Sequence, residues 1–172
     1  MNILLPIGAF LLLTHIRQIA SKDQAIWVAN TLAKGSNKES INIGAGCRRP
    51  SVFIKANQWG DVKCDTDACG ECIYCDVEDL SQFNDKEFSV AFCSHILEHT
   101  RDPEHSLKEV QRIADNVVVE LPPITDPGAW LTPDHQNIIT GNGTQRISPA
   151  LNWAVVGLGV ILGIGMYKNK KS

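Results

Sequence analysis

The sequence has no surplus of charge of either sign: 16 Lys and Arg stand against 19 Asp and Glu, a net charge of -3 over 172 residues. Without a basic patch there is no electrostatic footprint for a nucleic-acid partner. Internal repeats and low-complexity tracts are also lacking, which excludes solenoid and repeat-array architectures. The six cysteines at 47, 64, 69, 72, 75 and 93 lack the even spread of pairs that a disulfide framework uses, so they point to a reducing compartment. The apolar N-terminus has neither Lys nor Arg ahead of it and no small-residue cleavage site, unlike a secretory signal. What is present, 44% hydrophobic residues in a chain of this length, fits one globular domain with appendages.

The appendages are the two ends. Residues 150–167 read ALNWAVVGLGVILGIGMY, 18 positions without a charge, followed by Lys168, Lys170 and Lys171. That length spans a bilayer core, with Trp153 and Tyr167 at interfacial depth and the lysines in the headgroup region. Gly159 and Gly163 form a G-x-x-x-G pair at which another helix can approach closely. Residues 3–16 are apolar up to Arg17, short for a span, and read as an uncleaved anchor or an interfacial helix. The expected organisation is an apolar segment at 1–20, a domain at 21–123, a loop-rich extension at 124–148, and a transmembrane helix with basic tail at 149–172. The expected location is a membrane, with the domain on its reducing, cytoplasmic side.

Within the domain, strand and helix signals alternate. SINIGAG (40–46), DVKCD (61–65), FSVAFCS (88–94) and NVVVELP (116–122) are short apolar or β-branched runs. Between the last two, Asp102 is a helix N-cap, Pro103 the first position and Glu104 a first-turn acid, with Leu107, Val110 and Ile113 on one face. Strands apolar on both faces, separated by helices, imply a parallel sheet covered on both sides. In such sheets ligands bind outside the carboxyl ends of the strands. The residues there are Gly44-Ala45-Gly46, Asp65 with Asp67, Asp76, and Ser94-His95. A strand running into G-x-G lets backbone approach a ligand, and an acid closing the next strand can accept two ribose hydroxyls.

In order, INIGAG, VKCDTD, CDVEDL, FSVAFCSHILEH, DPEHSLKEVQRI and VVVELPP resemble the class I methyltransferases that use S-adenosylmethionine, especially the methyltransferase type 11 group. The resemblance implies a doubly wound, mostly parallel, Rossmann-like sheet. It also implies that Gly44, Ala45 and Gly46 line the methionine part of the cofactor, that Asp65 holds the ribose and that Asp76 and Val77 meet the adenine. Ser94 and His95 would form the floor beside the methyl group, with His95, His99 or His135 receiving the acceptor's proton. Only about 25 residues separate Pro123 from the apolar C-terminal run, too few for two further edge strands besides connections. A sheet of about five strands is therefore expected, with an edge that the 124–148 segment or a larger assembly must cover.

Two metal readings compete with this one. His95, Glu98 and His99 spell H-x-x-E-H, the inverted zinc-protease pattern, but that pattern needs a helix of several turns, and Asp102-Pro103 begins a new helix three residues later. Cys64, Cys69, Cys72 and Cys75 have ligand-like spacing for zinc or an iron-sulfur cluster. Against it, Cys64 and Cys75 belong to the second and third strands, which the first strand is expected to separate, with Cys69 and Cys72 in the connection. No metal is assigned. Two functions follow: a membrane-anchored S-adenosylmethionine-dependent methyltransferase, or a methyltransferase-like domain without turnover that serves a membrane-bound assembly such as a virion. Selectivity for the acceptor would lie in the additions to the sheet, where Trp130, Asp134 and His135 stand out.

Overall fold

A strand inside a parallel sheet is covered on both faces, so it reads as an unbroken apolar run; FSVAFCS is such a run, with every position but the last buried. The computed structural model describes residues 4–46, 58–68, 70–123, 132, 134–140 and 143–146. In chain order the elements are α1 (Leu4–Ala33), β1 (Ser40–Ile43), β2 (Val62–Asp65), β3 (Cys72–Tyr74), β4 (Phe88–Ser94), a 3-10 turn (Leu97–His99), α2 (Pro103–Ile113), β5 (Ala114–Glu120), β6 (Asn137–Thr140) and β7 (Gly143–Arg146). They fall into two compact units, 1–121 and 122–172.

The first unit is a five-stranded sheet of order β3-β2-β1-β4-β5, parallel at every pairing. This is the α/β, Rossmann-like sheet expected, with five strands among the described residues. One expectation fails: β1 does not separate β2 from β3. They are neighbours, with Cys64 level with Ile73 and Asp65 level with Tyr74, and this brings Cys64 against Cys75 in a disulfide. Cys72 opens β3 instead of lying in the connection, and it too is disulfide-bonded. The free thiols expected at 64, 72 and 75 are thus absent; Cys93 is free and buried in β4.

Alternation along β4 and β5 sorts their side chains between two faces. Val90, Phe92 and Val118 pack with Ala25, Ile26, Val28 and Ala29 of α1 and with Trp59. Trp59 stacks obliquely on Phe92 at 5.4 Å and donates its indole N–H to Asn30 Oδ1 at 2.9 Å. With that face of β4 and β5 taken by α1, α2, which also packs on both strands, covers the other. α2 starts as its sequence dictates: Asp102 accepts a hydrogen bond from the His105 N–H at 3.0 Å, with Pro103 in the first turn, and Val110 and Ile113 are buried.

α1 departs from the expected division of the chain. It crosses the boundary at residue 20 without a break, and its second half is part of the sheet's cover. Among the described residues no helix is long and apolar enough to cross a membrane, and the 150–167 run lies outside them. The β3–β4 connection carries no helix and is held by side chains instead. Arg112 donates to the carbonyls of Leu80 and Phe83 and to Asp85 and Glu109, while Lys86 donates to the carbonyls of Gln111 and Ala114 at the end of α2, where a cation is favoured. In the second unit, within the segment expected to be loop, β6 and β7 form an antiparallel hairpin.

Candidate active site

Because all five strands run the same way, their carboxyl ends share one edge, and the chain leaves β1 towards β2 on one side and meets β4 on the other. That reversal between β1 and β4 is where open α/β sheets form a crevice. Gly44, Ala45 and Gly46 follow β1, Asp65 ends β2, Asp76 and Val77 follow β3, Ser94 ends β4 and His95 follows it. The sheet thus brings every expected binding residue to a single edge.

The glycine turn hangs from the end of β2. Gly44 and Gly46 both have positive φ, 72° and 65°, a conformation natural to glycine. Gly44 N–H and Ala45 N–H donate to the Cys64 carbonyl at 2.8 and 3.2 Å. Gly46 N–H donates to Asp65 Oδ2 at 2.7 Å, and Asp67 N–H to Asp65 Oδ1 at 2.9 Å. Asp65 is thereby fixed in place, and since each carboxylate oxygen accepts along two directions, it keeps capacity for further donors. Asp67 supports Asp65 through its backbone. A Cβ at Gly44 would lie 1.8 Å from Ile96 Cδ1, so the chain's own Ile96 accounts for glycine there.

Across β2 and β3, the Cys75 N–H donates to the Asp65 carbonyl at 3.2 Å, and the Cys64–Cys75 disulfide joins the same two strand ends. Asp76 Oδ1 accepts from Glu78 N–H at 2.9 Å, and Val77 is buried. Glu78 Oε1 accepts from the N–H groups of Arg101 and Asp102 at 2.6 and 3.3 Å, tying this stretch to the start of α2.

At the end of β4 stands a group that the sequence pattern only half reveals. His95 has φ 56°, left-handed and uncommon outside glycine, and its backbone N–H donates to the Glu120 carbonyl at 2.9 Å. Its ring lies between two acids: Nε2 is 2.9 Å from Glu120 Oε2 and Nδ1 is 3.4 Å from Glu98 Oε1. Glu98 is 1% and Glu120 4% exposed, so both carboxylates are inside the protein. Ser94 Oγ donates to Glu120 Oε2 at 2.8 Å. The Nε2 contact is close but out of line with the ring N–H, an ion pair more than a directed hydrogen bond, and Glu120 Oε1 accepts no hydrogen bond among the described residues. Burial alone would lower the His95 pKa; the carboxylates of Glu120 and Glu98 outweigh it, against a smaller opposing effect of Lys22 on α1, and raise it to about 9. Burial works the other way on Glu120, yet His95 and the Ser94 hydroxyl hold its carboxyl below the usual range. The raised His95 pKa and the lowered Glu120 pKa favour an ion pair between them near neutral pH, with the Glu98 side chain on the other side of the ring.

His95 and His99 do not lie on an α-helix: between them the chain passes through Ile96, which is neither helical nor extended, into the 3-10 turn Leu97–His99. His99 is half-buried on that turn. His135 is buried and Asp134 exposed in the second unit; Trp130 lies outside the described residues. Glu120 was missed, although the signal used for Asp65, an acid closing an apolar strand, is present in NVVVELP.

Residues 54–116 match the family model of a methyltransferase domain. The matched stretch runs from before β2 into β5 and leaves out the glycine turn after β1. No curated protein and no solved structure matched the chain. The family match and the five-stranded parallel sheet together support a class I methyltransferase domain, and use of S-adenosylmethionine is general to that family.

Proposed function

We propose that the chain is a membrane-anchored methyltransferase that takes its methyl group from S-adenosylmethionine. The observation that carries the reading is the gathering of the glycine turn, Asp65, Asp76 with Val77, and Ser94 with His95 at one edge of a sheet with this strand order. The residues fit that cofactor at its nucleoside end. Asp65 is half-buried, oriented by two backbone N–H groups and able to accept two hydroxyls, while Asp76 and the buried Val77 offer an acceptor beside an apolar wall. Gly44 serves the packing of Ile96, and what it offers a ligand it offers through its backbone.

S-adenosylmethionine, when bound, supplies a methyl group on a positively charged sulfur. The chain's part is chiefly to align two reactants, which removes much of the entropic barrier. Asp65 and the turn hold one reactant against the strand ends. His95 keeps its proton at neutral pH, so it orders the ends of β4 and β5 instead of acting as a base, and proton acceptance falls to His99, one turn further on. The acceptor is read as lipid-linked or membrane-bound, because the apolar 150–167 run would hold the domain beside a bilayer. Gly159 and Gly163 would serve a partner helix. The disulfide-bonded cysteines favour an oxidising environment for the domain.

A second reading, a domain without turnover in a membrane-bound assembly, is favoured by one observation: Ile96 occupies the space in front of Gly44. Calorimetry of the full chain with S-adenosylmethionine separates the two. Saturable binding supports the enzyme; no heat at millimolar cofactor refutes it and leaves the assembly. Label from the cofactor should then appear in a membrane extract, and label only in small soluble products would refute the membrane-bound acceptor.

A further inference from the structure

We propose that the Cys64–Cys75 disulfide is a positioning crosslink for the cofactor site, so that breaking it weakens binding of the nucleoside. The inference rests on the methyltransferase reading above. Its basis is the number of site elements that meet at one residue. The Cys64 carbonyl holds the N–H groups of Gly44 and Ala45, its neighbour Asp65 holds Gly46, and its sulfur is bonded to Cys75, the residue before Asp76. The glycine turn, the ribose acid and the adenine wall are thus all referred to the end of β2, and only the third depends on β3 staying in place.

β3 is poorly equipped to stay by itself. It is three residues long, shorter than the usual strand. Among the described residues it is an edge strand paired with β2 alone, and Ile73 and Tyr74 are 43% and 60% exposed. Among the described residues no helix crosses between β2 and β3 to press it onto the sheet. Beyond the three ladder positions shared by β2 and β3, the Cys75 N–H bond to the Asp65 carbonyl and the disulfide are the direct links between the end of β2 and the residue before Asp76. Both sulfurs are buried, Cys64 at 0% and Cys75 at 2% exposure, so the bond sits inside the site's frame and not on its surface.

The crosslink is broken by a dithiol: two electrons and two protons pass to Cys64 and Cys75, and the dithiol closes to its own cyclic disulfide. The test measures affinity for S-adenosylhomocysteine and for adenosine by calorimetry in three proteins: oxidised full chain, the same chain after dithiothreitol with thiols counted by mass spectrometry, and C64A/C75A. Far-UV circular dichroism records whether the fold is kept. At least a tenfold loss for both ligands in both altered proteins, with unchanged dichroism, is expected; loss for adenosine is the mark of a displaced nucleoside wall. Equal affinity in all three overturns the proposal. Loss on reduction without loss in C64A/C75A also overturns it, because the effect then belongs to the bonded Cys72. If C64A/C75A does not fold, reducing C72S isolates the same bond, and unchanged adenosine affinity there is the refuting result. Absence of binding even in the oxidised chain refutes the methyltransferase reading itself, an outcome distinct from equal binding.

Discussion

Replacing Glu120 by glutamine keeps the shape of the side chain and removes its charge, so it isolates what the acid does to His95. In the wild type the His95 pKa rises from 6.5 to about 9. Raising a pKa by one corresponds to about 1.4 kcal/mol, so the clasp is worth on the order of 3 kcal/mol. Because the pKa is raised on folding, this stability is fully present below pH 6.5 and is lost as pH climbs through about 9. Glu120 moves the other way: its contribution is present above its ordinary 4.5 and fades as pH falls through the lower folded value. The interaction is therefore strongest between about pH 4.5 and 6.5. The groups acting on the ring are Glu98 from the 3-10 turn, Glu120 from β5 and Lys22 from α1. In Glu120→Gln burial still opposes the charge and only Glu98 remains, so the pH midpoint of His95 should fall by roughly 1–2. Urea unfolding followed by tryptophan fluorescence at about pH 5.5, 7.5 and 9.5 should show a gap between wild type and variant of roughly 1.5–3 kcal/mol that closes at the highest pH. A His95 ring that titrates at or below 6.5 in the wild type by NMR, or a gap that does not change with pH, would show that the two carboxylates do not hold the proton.

Gly44→Ala places a methyl group 1.8 Å from Ile96 Cδ1 in a left-handed backbone and should cost about 1–3 kcal/mol from the backbone alone, more with the clash; Gly44→Ala with Ile96→Ala should recover the packing part only, read by chemical denaturation. Asp65→Ala removes an oriented carboxylate that also holds Gly46, and the cofactor's affinity by calorimetry should fall by roughly 2–3 kcal/mol; an unchanged value moves the ribose role away from Asp65. Deleting 150–172 should shift the protein from the membrane to the soluble fraction if that run is the anchor, with carbonate washing to remove peripheral material; a variant that also lacks 1–20 and still pellets would refute anchoring through the chain's ends.

What could be read from the sequence was what local pattern dictates. β4 and α2 agree with their expected spans because FSVAFCS is apolar on both faces and because Asp102-Pro103-Glu104 states a helix start in three letters. The strand-end residues followed from those runs, since in a parallel sheet the carboxyl ends must share an edge. What could not be read depends on which strands are neighbours. The Cys64–Cys75 bond requires β2 beside β3, which local pattern does not encode. The short β3, with CIY largely exposed, carries no alternation to find. Glu98 and Glu120 look like surface acids until His95 is brought between them by a left-handed backbone and a β4–β5 register that sets Ser94 level with Glu120. The second half of α1 has few apolar residues in a clear stripe, because alanines such as Ala25, Ala29 and Ala33 make its contact with the sheet, and alanine marks a helix face weakly.

The uninterrupted course of α1 has a mechanical meaning. Thirty residues of helix make a rod about 45 Å long at 1.5 Å per residue, and its last turns are bolted to β4 and β5 through Ala29 and Trp59. There is no hinge between the two halves at which a domain could swivel or reach. Whatever grips the first turns of the helix therefore sets the tilt and heading of the whole sheet, and with them the direction in which the strand ends open. The first turns work as a tiller, not a leash.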